Sequence, residues 1–313
     1  MLDNDAMMSK HALIHLKLVI ATLFWALTPI FGRLLAGYSA PYALAFGRFL
    51  VATAVLWIFL RMTGERTRIS RTHLGAFMWL GLTGVCLHNV LVFMGVEHTA
   101  ANRANVIFST ITIMIALIDL AWYRQRLRLG LGSGIGLGIL GTAMVVTNGA
   151  PWQLLNGAVS VGDGLILLSA ASWALYSVLG RPLLLLYSPL TVTFYAALCG
   201  TVMLAPFVVL DWAALPALLS DPKALAMIAF LGVLNSAVGF LWYYQAVAKI
   251  GAVVTSAYIN LVPIFGLGLS ALLLGELPNA ALLLGGSLVL VALVLINRYP
   301  PAAWHSPAAA IQE

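Results

Sequence analysis

Ten stretches of this sequence are each long and apolar enough to cross the hydrocarbon layer of a bilayer, and little chain is left between them. A helix needs about 20 apolar residues for one crossing. With Gly, Pro and charged clusters as punctuation, the stretches run approximately 16–35, 42–60, 74–95, 103–122, 130–147, 164–181, 190–210, 224–244, 253–274 and 280–297. Only 8% of the 313 residues are charged and 62% are hydrophobic, against about 25% charged in an average soluble domain. A soluble globule of this size has nowhere to hide so much apolar surface, so the excess faces lipid. In lipid every backbone polar group must be satisfied internally, which makes the expected fold all-α: a polytopic membrane protein of ten transmembrane helices. The first stretch is too long for a signal-peptide core and no small-x-small cleavage site closes it, so it is expected to stay as a membrane helix. Cys86 and Cys199 fall inside apolar runs and read as packing residues; no metal-ligand spacing surrounds them, and no metal or cofactor is expected.

Charge sets the orientation. With alternating crossings, one face collects Lys10, Lys17, Arg61, Arg66, Arg68, Arg71, Arg124, Arg126, Arg128, Arg181, Lys249 and Arg298, twelve of the sixteen basic residues. The other face has Arg103 and Lys223, with Arg33 and Arg48 inside segments near it. The positive-inside rule then places both termini in the cytoplasm, and an even number of crossings is needed to return Arg298 there. The net charge of +6 is therefore topology, and no nucleic-acid partner is expected.

The sequence also echoes itself. Trp25-Ala26-Leu27 recurs 148 residues later as Trp173-Ala174-Leu175, and the same offset pairs Gly32-Arg33 with Gly180-Arg181, Pro41 with Pro189, Phe46 with Phe194 and Gly84-Val85 with Gly232-Val233. With a shift of three, Gly134 pairs with Gly285. Five crossings per copy is an odd number, so the second copy runs upside down and the fold is two inverted five-helix repeats. The expected organisation is a cytoplasmic tail 1–14, a first repeat 15–148, a periplasmic linker 149–162, a second repeat 163–298 and a cytoplasmic tail 299–313. Inverted repeats characterise secondary transporters, whose substrate site lies near mid-membrane where the halves meet.

In the second half, Gly251-Ala252, Leu261-Val262-Pro263, Leu274-Gly275-Glu276-Leu277 and Gly285-Gly286 follow in an order that resembles the EamA-type branch of the drug/metabolite transporter superfamily. Trp25-Ala26-Leu27-Thr28-Pro29 and Phe46-Gly47-Arg48-Phe49 look like the same branch's first two helices. The resemblance covers about residues 15 to 298 and is closest to the YddG-type exporters of aromatic and other neutral amino acids. It implies a multi-pass protein of a bacterial inner membrane working by alternating access. The proline expected in helix four is replaced near Thr112 and the glutamate after it by Gln125, so helix four is expected to bend differently from helix nine.

Candidate substrate contacts lie at mid-membrane. Trp25 and Thr28 on helix one have repeat equivalents Trp173 and Tyr176 on helix six, and two large aromatics can wall a cavity for an apolar or aromatic substrate. Helix four presents Asn105, Phe108 and Thr112 as one stripe; helix nine presents Ser256, Asn260 and Pro263 in the matching stripe, with Tyr258 beside it. These amides and hydroxyls either bind substrate or bond between helices. His88 and Asn89 on helix three put an ionisable group at depth, a functional signal against the reading of a neutral histidine bonded to a carbonyl. Arg48 either attracts a substrate carboxylate or serves structure. Asp119, Asp163 and Glu276 fall near segment ends and read as caps or ion pairs. Gly136-x-Gly138-x-x-Gly141 matches a dinucleotide fingerprint, but no strand precedes it; Gly130, Gly134 and Gly138 read as a close-packing surface.

The expected function is export of small metabolites, aromatic or neutral amino acids first, through a central apolar cavity, with a small molecule and the lipid bilayer as partners and no second chain required. A transporter of nucleotide sugars or drugs is the alternative within the class. Outside it stand an intramembrane enzyme, for which no nucleophile or metal-ligand constellation is found, and a structural membrane subunit.

Overall fold

The computed structural model describes residues 2–65, 69–122, 129–156 and 159–299; the side chains of 2–12, 119, 154–156, 251–254, 256, 257 and 297 are outside that description. Arg66, Arg68, Arg124, Gln125, Arg126 and Arg128, and the side chains of Asp119 and Ser256, therefore lie outside the described residues. Within them, eight helices are long and apolar enough to cross a membrane: α1 (Leu13–Tyr38), α2 (Pro41–Thr63), α3 (Arg71–His98), α4 (Ala101–Trp122), α5 (Leu129–Val146), α6 (Val161–Leu184), α7 (Pro189–Ser220) and α8 (Pro222–Ile250). Two shorter apolar helices, α9 (Leu261–Leu274) and α10 (Ala280–Ile296), complete the ten. Helical backbone leads from α8 to Ile259. Lys17 Nζ donates to Gln245 and Tyr258 Oη meets His15, so both positions are tied to the start of α1.

The two halves meet about a two-fold axis, and residues 148 apart touch across it. Trp25 and Trp173 have ring centroids 5.7 Å apart, and the hydroxyls of Thr53 and Thr201 are hydrogen-bonded at 3.0 Å. Helices α5 and α10 show the sense of the relation. Gly134 abuts Ile296, Gly138 abuts Ala292, Gly141 abuts Val289, and Gly285 abuts Val145, so the partner number falls as the helix advances. The counterparts are antiparallel, as inversion requires. Their glycines let the backbones approach: a Cβ on Gly141 would lie 2.7 Å from the Gly285 oxygen, and one on Gly285 would lie 2.7 Å from the Gly141 oxygen. Without a hydrophobic drive between helices in lipid, such close packing is what holds the pair together.

Both halves interrupt the same helices. Helix α4 breaks at Ser109 (φ −61°, ψ −21°), between segments ending at Phe108 and resuming at Thr110. The second half breaks at Asn260 (φ −66°, ψ −14°), just before α9. The shifted offset that pairs Gly134 with Gly285 carries Ser109 to Asn260 and Thr112 to Pro263. The expectation that helix four bends differently is thus corrected: the break is shared although the proline is not. Counterpart stretches of α3 (Gly81–Leu87) and α8 (Leu231–Val238) are π-helical, which widens each helix by a residue per turn and strands carbonyls.

Polar pairs close the ends of the bundle. Away from the basic residues, the buried Asp163 at the start of α6 is ion-paired with Arg103 of α4 and accepts from Thr99 Oγ1 at 2.6 Å, while Arg103 Nη2 also donates to the Val146 carbonyl at 3.0 Å. Nearby, Tyr38 Oη donates to Asp221 at 2.5 Å and holds that carboxyl below the usual carboxylate range. At the opposite end, His15 Nδ1 meets Tyr258 Oη at 2.6 Å. His15 precedes Asp163 by the 148-residue offset, so one repeat position serves both ends.

Gly141→Val forces a branched side chain into the Gly285 backbone and is expected to lower the thermal stability of the purified protein sharply. Gly136→Ala, which has nothing within 4 Å of the added carbon, should leave it unchanged; detergent-solubilised melting followed by size exclusion reads both.

Candidate functional site

A small cavity of about 40 Å³ sits where the halves meet, lined by Trp25, Thr28, Arg48, His88, Phe108, Ile111, Trp173, Asn235, Phe240, Ile259 and Val262. Its apolar wall obeys the internal symmetry: Trp25 faces Trp173, and the shifted offset carries Phe108 to Ile259 and Ile111 to Val262. The interruptions at Ser109 and Asn260 border this wall. The aromatic box is tight. Trp173 lies 4.7 Å from Phe240 and 4.8 Å from His88 between ring centroids, and Trp25 lies 6.3 Å from Phe240.

The polar groups do not obey the symmetry. Arg48 comes from α2 and is 2% exposed; its Nε donates to Ser236 Oγ at 2.6 Å and its Nη2 to Asn235 Oδ1 at 2.5 Å, while the buried Nη1 has no partner among the described residues. Neither acceptor is charged, and among the described residues Arg103–Asp163 is the ion pair formed. Asn235 donates from Nδ2 to the Phe24 carbonyl at 2.6 Å and to Thr28 Oγ1 at 2.7 Å, and its own carbonyl accepts from Trp25 Nε1 at 3.2 Å. One network thus joins α1, α2 and the π-helical turn of α8. Also on the cavity wall, His88 Nδ1 sits 2.8 Å from Ser169 Oγ and 3.1 Å from the Ser169 carbonyl, and Ser169 Oγ lies 3.1 Å from the His88 carbonyl.

Of the residues singled out from sequence, Trp25, Thr28, His88, Phe108, Trp173 and Arg48 line the cavity. Others are placed elsewhere. Asn89 donates to the Gly84 and Val85 carbonyls of its own helix at 3.2 and 2.8 Å, capping oxygens that the π-helical turn strands. Asn105 packs on Gly266 and donates to the Ala26 carbonyl at 3.2 Å, joining α4 to α1. Tyr176 lies one layer behind Trp173, stacked on Tyr244 at 5.3 Å, because Gly84 leaves room for its ring. Tyr258 is held at the end of the bundle by His15. Thr112 is fully buried and Asn260 half-buried, neither on the cavity wall, each with a side-chain oxygen that has no partner. Asn235, Phe240, Ile111, Ile259 and Val262 were not singled out. The depth argument that flagged His88 applies equally to Asn235, and the shifted repeat offset points from Phe108 to Ile259.

Two stretches of the chain, residues 12–147 and 160–298, each match the EamA-like transporter family, one match per half. An uncharacterized transporter of Archaeoglobus fulgidus is 29% identical over 90% of this chain and 96% of its own. The uncharacterized transporter YyaM of Bacillus subtilis is 30% identical over 82% of this chain and 84% of its own. A probable terminal-alkyne amino-acid exporter of Streptantibioticus cattleyicolor is 29% identical over 90% and 92%. A solved crystal structure superposes with a TM-score of 0.60 at 17% identity, covering 92% of this chain and 97% of that one, a likeness of fold.

The two arginines should respond oppositely to removal of charge. Arg103→Met strands the buried Asp163 carboxylate and is expected to cost about 3–5 kcal/mol. Arg48→Met leaves the Asn235 oxygen unpaired, a loss of about 1–3 kcal/mol, but removes a buried cation that has no counter-charge, so its melting temperature should stay near that of the unmodified protein. Thermal unfolding in detergent distinguishes the two.

Proposed function

The chain belongs to the EamA-like transporter family, and from that premise we propose that it exports small amphipathic metabolites, aromatic and neutral amino acids first, through the cavity between its halves. The chain is a multi-pass membrane transporter, not an enzyme, as its relatives are. The observation that carries the finer reading is an aromatic-walled cavity lined by one guanidinium whose hydrogen-bond acceptors are neutral. The indoles of Trp25 and Trp173, packed edge to face, offer an apolar side chain an aromatic wall, and Arg48 offers a carboxylate a charge-assisted bond. The likeness to a probable terminal-alkyne amino-acid exporter supports this substrate class. A nucleotide sugar needs several cations for its phosphates, and Arg48 is the one that lines the cavity.

Transport by alternating access through inverted halves fits the paired closures at the two ends. Opening the end near Asp163 separates α4 from α6; opening the end near His15 separates the ninth crossing from α1. The asymmetry of basic residues supports an inner-membrane location with both termini cytoplasmic, the loop 149–162 lying on the far side between repeats 15–148 and 163–298. Nothing in the cavity requires a second chain.

In liposomes loaded with radiolabelled amino acids and nucleotide sugars, aromatic and neutral amino acids should leave and nucleotide sugars should stay. Efflux of a nucleotide sugar without movement of any amino acid overturns the reading. Trp173→Ala should insert normally and slow amino-acid efflux by about tenfold; an undiminished rate removes that indole from the site.

A further inference from the structure

Every acceptor that holds Arg48 is neutral, and the arrangement leaves little freedom for it to be otherwise. Both Nδ2 protons of Asn235 are committed, one to the Phe24 carbonyl and one to Thr28 Oγ1. Its Oδ1 is therefore the atom turned to Arg48, and the amide cannot be flipped without facing two oxygens with an oxygen. Ser236 supplies a hydroxyl oxygen to Nε. The guanidinium is thus anchored in position while its charge is left whole, and Nη1 remains without an acceptor among the described residues. One end is a cation whose acceptors are all neutral, and the cavity also carries the imidazole of His88.

We propose that Asn235 sets the charge that the cavity accepts. As an amide in place of a carboxylate it leaves Arg48 unneutralised, so the passenger must bring a carboxylate to that end. A carboxylate at position 235 or 236 would form an internal ion pair with Arg48 and cancel the requirement. The cavity would then repel acids and admit amines. This rests on the cavity being the route of transport. It adds that selectivity for a zwitterion over a cation is set by a residue that need not touch the passenger.

The test uses reconstituted full-length protein and two probes, phenylalanine and phenethylamine, which differ by the carboxylate. The unmodified protein should move phenylalanine faster than phenethylamine by about tenfold or more, the worth of a lost charge-assisted bond. Phenylalaninamide should fail to compete with phenylalanine. In Asn235→Asp the preference should invert, phenylalanine falling and phenethylamine rising. Because Asp cannot donate to Phe24 or Thr28 as Asn does, Ser236→Asp serves as a second variant that leaves those bonds in place, with the same inversion expected. The proposal is overturned if an inserted, folded variant of either kind keeps the original preference. It is equally overturned if the unmodified protein handles phenylalanine, its amide and phenethylamine alike. Absence of all amino-acid movement in the unmodified protein is a different result, which brings down the transport reading itself.

Discussion

The rule that a backbone in hydrocarbon must bond to itself governs where this protein can be anything other than a regular helix. The rule drives nearly the whole chain into helices, and it tolerates interruption only where protein or a cavity supplies what the missing turn does not. Here the interruptions are shared by both halves: breaks at Ser109 and Asn260 and π-helical turns at Gly81–Leu87 and Leu231–Val238. Each lies against the cavity or against the residues that line it. Asn89 spends its amide protons on carbonyls that the first π-turn strands. In the second, Asn235 and Ser236 face Arg48. Irregular backbone and candidate site are the same feature, viewed once from the chain and once from the cavity.

Duplication explains the walls and not the anchors. A residue near a two-fold axis meets its own counterpart, so one large aromatic at Trp25 and Trp173 gives two indoles packed edge to face. The polar positions have diverged. Arg48 has Ala196 as its counterpart, and Thr28 has Tyr176. A cavity with identical ends would suit a symmetric or wholly apolar passenger. One with a guanidinium and an imidazole that have no counterparts in the other half suits a molecule that is itself polarised.

Much of this was legible in the sequence, because hydropathy, charge asymmetry and the 148-residue echo are each set by the bilayer and not by packing detail. The indoles, Phe108, His88 and Arg48 were found because bulk or charge at mid-membrane is costly and has few uses. Polar residues were harder. An asparagine at depth bonds to a passenger, a neighbouring helix or its own backbone; Asn89 bonds to its own backbone, whereas Asn105 and Asn235 bond to neighbouring helices. Which one holds depends on where a helix locally widens, and no periodicity announces that. Tyr176 shows the same limit: it is the repeat partner of a lining residue, yet Gly84 opposite it lets the ring sink one layer back.

The ends of the bundle show how an inverted repeat acquires an asymmetry. The same repeat position holds Asp163 at one end and His15 at the other, each bonded to a helix of the opposite half. The Asp163 end is closed by a carboxylate with no exposure, a guanidinium and a threonine hydroxyl. The end where the basic residues gather is held by hydrogen bonds, from Tyr258 to His15, Lys17 to Gln245 and His73 to Tyr187. The two ends are thus held by different chemistry, a buried ion pair at one and dispersed hydrogen bonds at the other. Divergence at a single duplicated position is enough to make two mirror-related exits unequal, even where the cavity walls between them stay symmetric.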